Sequence, residues 1–474
     1  MDPVVPRATT DAGSCCAECA AAAPSTSPGP APVVPSGLIA PSARRQTLPA
    51  RRGGDRRIAI SAIAIAAAYV ALAALSLLAP ASVRLGWWLP LHLLLAGAAA
   101  TAIAGVMPFF SASVASVPAA PAGIRVAGVA GIAIGALLVV LVRLSGGGSI
   151  AQGWPGAAGG GVYLVGIGAV AAATLLPLRV ALGPRRMVLA ASYGMALLYV
   201  ALGAGIGTLA LAGWGPLLAA WDVSKPAHAW LNVFGFLSLV IGATLIHLLP
   251  TVAGTRIERS RSSNLVLGCL MVGPVVVAVG FLARTDILVV VGSLTELVGA
   301  AALLRFAAAV VRRRGRWTTD LAWHRMSLVS LLCAIAWFSV ATFLALATAW
   351  SRGATAFGWD GSLLLAPLAL GWAAQALVGS WTHLVPSIGP GSPVVHARQR
   401  QVLGTLAVPR MAAFQLGVGM LAVGMPPGNG PLTGLGVMLT IGSLGVSITL
   451  LVRAVLRLRA EPRGAVAGGE SPVS

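Results

Sequence analysis

LHLLLAG, at residues 91–97, leads through an apolar run to Pro108. A similar motif before a proline returns twice, as LNVFG at residues 231–235 before Pro250 and as LGW at residues 370–372 before Pro386. The three prolines are 142 and 136 residues apart. Because a similar motif returns at a similar interval, the sequence predicts a unit of several helices that occurs three times.

The composition is strongly apolar. Of 474 residues 57% are hydrophobic and 9% are charged, and the mean hydropathy is +0.89. Water cannot solvate most of the surface of such a chain, so we expect an integral membrane protein in contact with the lipid bilayer. The spans must be helices, because open strands would leave backbone groups unpaired in lipid.

Twelve apolar runs are long enough to cross the hydrocarbon core, which takes about 20 residues of helix. Their approximate bounds are 58–79, 87–107, 123–143, 157–180, 187–212, 227–249, 263–283, 286–310, 322–350, 362–385, 408–425 and 433–456. The prediction is an all-α polytopic membrane domain at residues 57–458. It divides into three four-helix repeats, at roughly 58–180, 187–310 and 322–456.

The flanking segments are predicted to be cytoplasmic tails. Residues 1–56, rich in Pro, Ala, Ser and Arg, are expected to be disordered, and residues 459–474 form the second tail. This topology places 27 of the 32 basic residues on the inner side, as expected in a bacterial plasma membrane. The five exceptions are Arg84, Arg143, Lys225, Arg284 and Arg352.

The net charge of +20 follows from this topology and from contact with anionic lipid. No nucleic-acid motif accompanies it, so no nucleic-acid partner is expected. The first tail also contains Cys15, Cys16 and Cys19. Three close thiols could hold a soft metal such as Cu(I), but no second Cys or His pair completes a tetrahedral site. The sequence favours a tail without metal.

Two histidines suggest a site near the outer face. His92 begins the second span and His228 begins the sixth, so they lie at similar depth on helices related by the repeat. Neutral imidazoles there could ligate haem iron or copper, and Asn232, one turn below His228, could orient a ligand or water. The alternative is that both rings sit at headgroup level, where they are hydrated.

His247 and His383 end spans six and ten near the inner face, each three residues before a proline. We expect them to cap their helices by bonding the last carbonyl groups, with an inner metal site as the alternative. His324 and His396 are expected to be solvated.

Glu296 is the one acidic residue predicted near the middle of the membrane. A carboxyl group is costly there, so it is either protonated, hydrogen-bonded to a neighbouring helix, or part of a proton or ion path. Arg305 lies nine residues further along the same helix, about 13 Å away, too far for direct pairing.

The spacing of spans two, six and ten resembles subunit I of the haem-copper oxidases, whose corresponding helices carry metal-ligating histidines near the outer side. Only His92 and His228 occupy comparable places here. The oxidase motif HPEVY is absent from span six, span seven has no histidine pair, and span ten has no outer His-x-His. The resemblance therefore does not imply oxygen reduction.

The motifs are more similar to the membrane module of actinobacterial proteins in which such helices precede cupredoxin domains of copper nitrite reductase or multicopper-oxidase type. The NnrS family of haem- and copper-containing membrane proteins is a more distant resemblance. The likeness covers about residues 58–457, through 91–97, 228–235, 249–251, 375–379 and 384–386. It implies a haem or copper cofactor, and a separate periplasmic cupredoxin-type protein as partner.

Three functions follow as hypotheses. The first is a haem- or copper-binding protein of nitrogen-oxide, copper or respiratory redox metabolism. The second is a transporter of small molecules or metal ions that uses Glu296 for coupling, although parallel repeats and sparse charge count against it. The third is a membrane anchor for a separate periplasmic copper protein. No nucleophile, triad or nucleotide site is recognisable, so enzymatic activity of this chain alone is not expected.

Overall fold

Helices make up nearly all of the computed structural model, which describes residues 49–181, 184–256, 260–314, 322–354, 362–388 and 393–456. Those residues contain no strand, and twelve of their helices are long and apolar enough to span a bilayer. The helices are α1 Pro49–Ser76, α2 Trp88–Ala115, α3 Ala122–Ser145, α4 Trp154–Leu175, α5 Pro184–Leu211, α6 Trp221–Val252, α7 Arg261–Leu282, α8 Asp286–Arg312, α9 Ala322–Arg352, α10 Ser362–Ser387, α11 Ala407–Gly424 and α12 Gly430–Leu456. A separate short helix, Pro393–Gly404, lies between α10 and α11.

The predicted count of twelve spans is confirmed, and the chain is an integral membrane protein. The cysteine cluster at residues 15–19 and the C-terminal tail at 459–474 lie outside the described residues. Helix α1 begins at Pro49, inside the segment predicted as a tail, although its apolar span begins at Arg57.

The predicted ends of spans two, six and ten, at about 107, 249 and 385, are wrong, because each helix continues through the proline that follows. Pro108, Pro250 and Pro386 each lie inside a helix, and α2 continues to Ala115. A proline removes one backbone donor, but a membrane helix tolerates it because neighbouring groups satisfy the freed carbonyl.

Three helices contain a π-helical segment between α-helical ends. The segments are His92–Ala99 in α2, Leu231–Leu237 in α6 and Ala366–Ala374 in α10. None of the other helices in the described ranges contains one. π-Helical turns are rare and frequently mark functional sites. Here they coincide with the three recurring sequence motifs.

One aromatic residue packs against a glycine of each π segment, so closely that a Cβ on the glycine would lie within 3.0 Å of the ring. The pairs are Tyr69 with Gly97, Tyr199 with Gly235, and Trp337 with Gly371. Each aromatic residue also donates a hydrogen bond to the next helix but one. The acceptors are Ala133 O on α3, Met271 O on α7 and Gln415 Oε1 on α11.

The remaining helices form three close antiparallel pairs, α3 with α4, α7 with α8, and α11 with α12. Glycines face each other within each pair, as Gly131 with Gly166, Gly273 with Gly292, and Gly417 with Gly436. Small residues allow two backbones to approach closely, which is a common way for helices to pack in lipid.

The three helices with π segments form the centre of the bundle. They are buried by the rest of the protein over 72%, 78% and 72% of their most apolar windows, against 33–56% for the other nine spans. A space between these helices is therefore shielded from lipid, and the candidate site lies there.

Candidate functional site

A cavity of about 670 Å³ lies near the N-terminal ends of α2, α6 and α10, called here the outer end of the bundle. Residues of the five helices α2, α3, α4, α5 and α6 and of α10 line the cavity. Each of the three π segments contributes to the lining, for example through Leu95, Asn232 and Leu368. Most lining side chains are apolar. The volume falls within the roughly 300–1,000 Å³ typical of small-molecule and cofactor sites.

His92 and His228 both line this cavity. Their ring centroids are 6.5 Å apart, and the ring planes differ by only 13°. His92 is the first residue of the π segment of α2, and His228 lies three residues before that of α6. The structure thus brings together the two residues that the sequence singled out.

Backbone carbonyl groups fix the proton on both imidazoles. Nδ1 of His92 is 2.8 Å from the carbonyl oxygen of Trp88, and Nδ1 of His228 is 2.7 Å from that of Gly203 on α5. A carbonyl oxygen only accepts, so each Nδ1 carries the donated hydrogen. Nε2 makes no hydrogen bond within the described part of the chain. A neutral ring held in this way offers the Nε2 lone pair to a ligand.

Asn232 supports His228 rather than reaching for a ligand with its amide nitrogen. Its Nδ2 donates to the carbonyl oxygen of His228 at 2.7 Å. Two glycines of α5 make room for this arrangement. A Cβ at Gly203 would overlap the Asn232 amide, and one at Gly207 would lie 3.0 Å from Cε1 of His228.

The mouth of the cavity is basic. Trp88 stacks on His92 with ring centroids 4.2 Å apart, and the Arg143 guanidinium carbon lies 4.5 Å from the centre of the Trp88 ring. Lys225 also lines the cavity, and none of the described lining residues is acidic. Sequence reasoning missed this set, although Arg143 and Lys225 were exceptions to the charge asymmetry and thereby carried a signal.

Between α6, α9 and α10 the interior is filled by aromatic rings. Trp230 stacks on Phe234 at 4.3 Å, Phe234 contacts Phe338 at 6.4 Å, and Phe338 stacks on Trp372 at 4.6 Å. The Trp372 indole also donates to Ser238 Oγ at 3.0 Å. The space around the three central helices is therefore asymmetric, open beside His92 and His228 and closed beside Trp372.

Glu296 is fully buried on α8 and accepts a hydrogen bond from the Trp230 indole, with Oε1 and Nε1 2.7 Å apart. Its second oxygen, Oε2, has no hydrogen-bond partner among the described residues. Of the three alternatives for this residue, a hydrogen bond to a neighbouring helix is therefore present. Glu296 does not line the outer cavity, but Trp230 does.

The inner histidines do not lie at helix ends. Beyond His247, α6 continues for five residues to Val252, and α10 continues beyond His383 to Ser387. The prediction that these histidines end spans six and ten is therefore wrong, because the helices continue through Pro250 and Pro386. The His247 ring packs near Phe110, with centroids 6.3 Å apart.

His383 belongs to a second group of packed rings, with Trp323 and His324. It is buried, and its ring stacks on that of Trp323 with centroids 5.5 Å apart. His324, expected to be solvated, is also buried, and its ring lies 4.0 Å from the Trp323 ring. The short helix Pro393–Gly404 places Arg400 over Trp323 at 4.9 Å and thereby covers this region. His396, expected to be solvated, is half-buried on the same short helix.

No protein-family model matches the chain, and no curated protein is significantly similar to it. Within the described ranges, no group of three or more His, Cys, Asp or Glu side chains could hold a metal ion. The function is therefore inferred from the geometry of the outer cavity.

Proposed function

We propose that the chain is a redox-associated membrane protein that binds haem in the outer cavity, where His92 and His228 would ligate the iron. One observation carries the proposal. Two parallel imidazoles, each with Nδ1 bonded to a backbone carbonyl, line a single cavity that is large and mostly apolar.

The separation of the rings is suited to one metal ion between them. A metal–nitrogen bond is about 2.0 Å long, so two imidazoles on opposite sides of one ion have centroids roughly 6 Å apart. The observed separation is 6.5 Å.

The ligand set favours haem over copper, the other predicted cofactor. Protein sites for zinc and copper ions usually take at least three side-chain ligands, and the described residues offer no such group. A porphyrin supplies four nitrogen ligands itself, so two histidines complete the coordination of its iron. The mostly apolar wall of the cavity is suited to the faces of the macrocycle.

Residues of the chain itself set the orientation of the two imidazoles and provide an apolar lining for the bound group. The Nδ1 hydrogen bonds fix the tautomer and orientation of both rings and increase the basicity of Nε2. The apolar side chains of Leu95, Val233 and Leu368 line the cavity and would shield the bound group from water. Haem held by two histidines supplies one-electron transfer between its ferric and ferrous states.

The wider role rests on the resemblance alone. Nitrogen-oxide, copper or respiratory redox metabolism is the setting that it implies, with a separate periplasmic cupredoxin-type protein as electron partner. The plasma membrane, with both termini in the cytoplasm, is the location that the charge asymmetry supports. We propose no catalytic reaction for this chain alone.

Three recurring features support the oxidase-like plan of three four-helix repeats. The second helix of each proposed repeat has a π segment, the first contributes an aromatic residue that packs on it, and the third and fourth pair through glycines. In each repeat, the aromatic residue on the first helix also donates a hydrogen bond to the third helix. An origin by triplication explains why the same contacts recur at similar intervals.

The surroundings of Glu296 argue against the transporter alternative. A coupling carboxyl group should reach a path that an ion or substrate can enter. Glu296 is fully buried and bonded to Trp230, and does not line the outer cavity. These contacts support a role in joining α6 to α8.

The test is an absorption spectrum combined with metal analysis of the detergent-purified protein. We expect about one haem for each chain, and His92→Ala and His228→Ala should each abolish stoichiometric binding. His396→Ala is the matched control, because His396 lies on the short helix Pro393–Gly404 and should leave the spectrum unchanged. A wild-type protein without haem would overturn the proposal, whether or not it contains copper, as would full haem binding in both His→Ala variants.

A further inference from the structure

We infer that Arg143 and Lys225 form a carboxylate-binding rim, which would hold the two propionate groups of a haem ligated by His92 and His228. The inference rests on the proposed function and adds the chemistry of the cavity mouth. It assigns a purpose to basic residues that the positive-inside rule does not explain.

The outer basic residues are not scattered evenly. Arg143 and Lys225 line the cavity, and the Arg84 guanidinium carbon lies 5.0 Å from the ring centre of Trp87, another lining residue. Arg284 instead forms an ion pair with Asp222, with Nη1 and Oδ2 2.8 Å apart. Arg352, exposed at the end of α9, is not among the lining residues. Three of the five basic residues that are exceptions to the charge asymmetry therefore lie at or beside the outer cavity.

The guanidinium of Arg143 is held in position before any ligand arrives. It lies 4.5 Å from the centre of the Trp88 ring, and Trp88 in turn stacks on His92. Its Nε has no hydrogen-bond partner among the described residues. A cation fixed by an aromatic face, with donors unused, is prepared for a charge-assisted bond to a carboxylate.

Within the part of the chain that the structure describes, no acidic side chain lines the cavity beside this rim. Asp222, one helical turn before Lys225, is engaged by Arg284. The described lining residues include no Asp or Glu. Positive charge above an apolar chamber selects an anion with a large apolar body. Iron protoporphyrin has that form, because both of its carboxylates lie on one edge of an apolar ring.

The experiment compares two ligands that differ only in their acid groups. Full-length apoprotein in detergent is titrated with iron protoporphyrin IX and with its dimethyl ester, and binding is followed by the Soret absorption. We expect wild type to bind the ester about tenfold or more weakly, since each charge-assisted bond lost is typically worth at least that factor. In Arg143→Gln/Lys225→Gln the preference should vanish, while the control Arg352→Gln should retain it.

Equal affinity of wild type for acid and ester would overturn the inference and leave the proposed function standing. Retention of the preference in the double Gln variant would also overturn it. Failure of both ligands to bind wild type would remove the proposed function and the inference together. If the double Gln variant does not fold, the wild-type comparison remains decisive, and Arg143→Lys/Lys225→Arg should keep the preference because it keeps both charges.

Discussion

Three glycines of α5 allow a sharp test of how the site is built. Gly203, Gly205 and Gly207 are on one helix, but they meet different surroundings. A Cβ at Gly203 would overlap the Asn232 amide, and one at Gly207 would lie 3.0 Å from Cε1 of His228. A Cβ at Gly205 would meet no heavy atom within 4 Å.

The expected magnitude comes from this difference. Two carbon atoms attract best at about 3.5–4.0 Å, so an added methyl at Gly207 forces His228 to move by several tenths of an ångström. Overpacking of this kind costs about 1–3 kcal/mol. Replacing glycine by alanine within a helix also gains up to about 1 kcal/mol, and this gain is similar at all three positions. The comparison between variants therefore isolates the cost of overpacking.

We expect Gly203→Ala and Gly207→Ala to be about 1–3 kcal/mol less stable than Gly205→Ala. The assay is equilibrium unfolding in mixed micelles with increasing SDS, followed by far-ultraviolet circular dichroism. The first two variants should also bind haem more weakly, because they displace Asn232 and His228. Three variants equal in stability to within about 0.5 kcal/mol would refute the packing described for α5 and α6.

Two further outcomes follow from buried hydrogen bonds. Trp230→Phe removes the donor to Glu296 and should lower the free energy of unfolding by about 1–3 kcal/mol. Glu296→Gln keeps an acceptor for the Trp230 indole and should lower that free energy by less. The same SDS unfolding assay compares the two variants, and a larger loss of stability in Glu296→Gln would contradict the hydrogen bond between Trp230 and Glu296. Tyr69→Phe removes the bond from the Tyr69 hydroxyl to Ala133 O, which is 2.6 Å long. It should cost about 1 kcal/mol, measured in the same way, and an unchanged stability would show that this bond contributes nothing.

The spans could be predicted from sequence because their length is set by the thickness of the bilayer. Apolar runs of about 20 residues therefore identified twelve helices, with errors mainly at prolines. Pro108 and Pro250 lie just beyond the predicted ends of the second and sixth spans, at about 107 and 249. In the bundle, both lie within continuous helices.

The proximity of His92 and His228 could also be predicted, because equivalent positions on central helices lie at similar depth. The stack of Arg143 on Trp88 could not, since it depends on how α3 returns to the outer end beside α2. The burial of His324 was missed for a related reason. It depends on Arg400 and on a short helix that covers the inner end of α9, and neither contact leaves a periodic signal in the sequence.

The most direct measurement is the electron paramagnetic resonance spectrum of the oxidised, purified protein. Two imidazole ligands on one iron should give a low-spin ferric haem signal, with about one such haem for each chain. Replacement of either His92 or His228 by alanine should remove that signal. A wild-type protein without haem, or with a low-spin signal that survives both substitutions, would contradict the assignment of these two histidines as axial ligands.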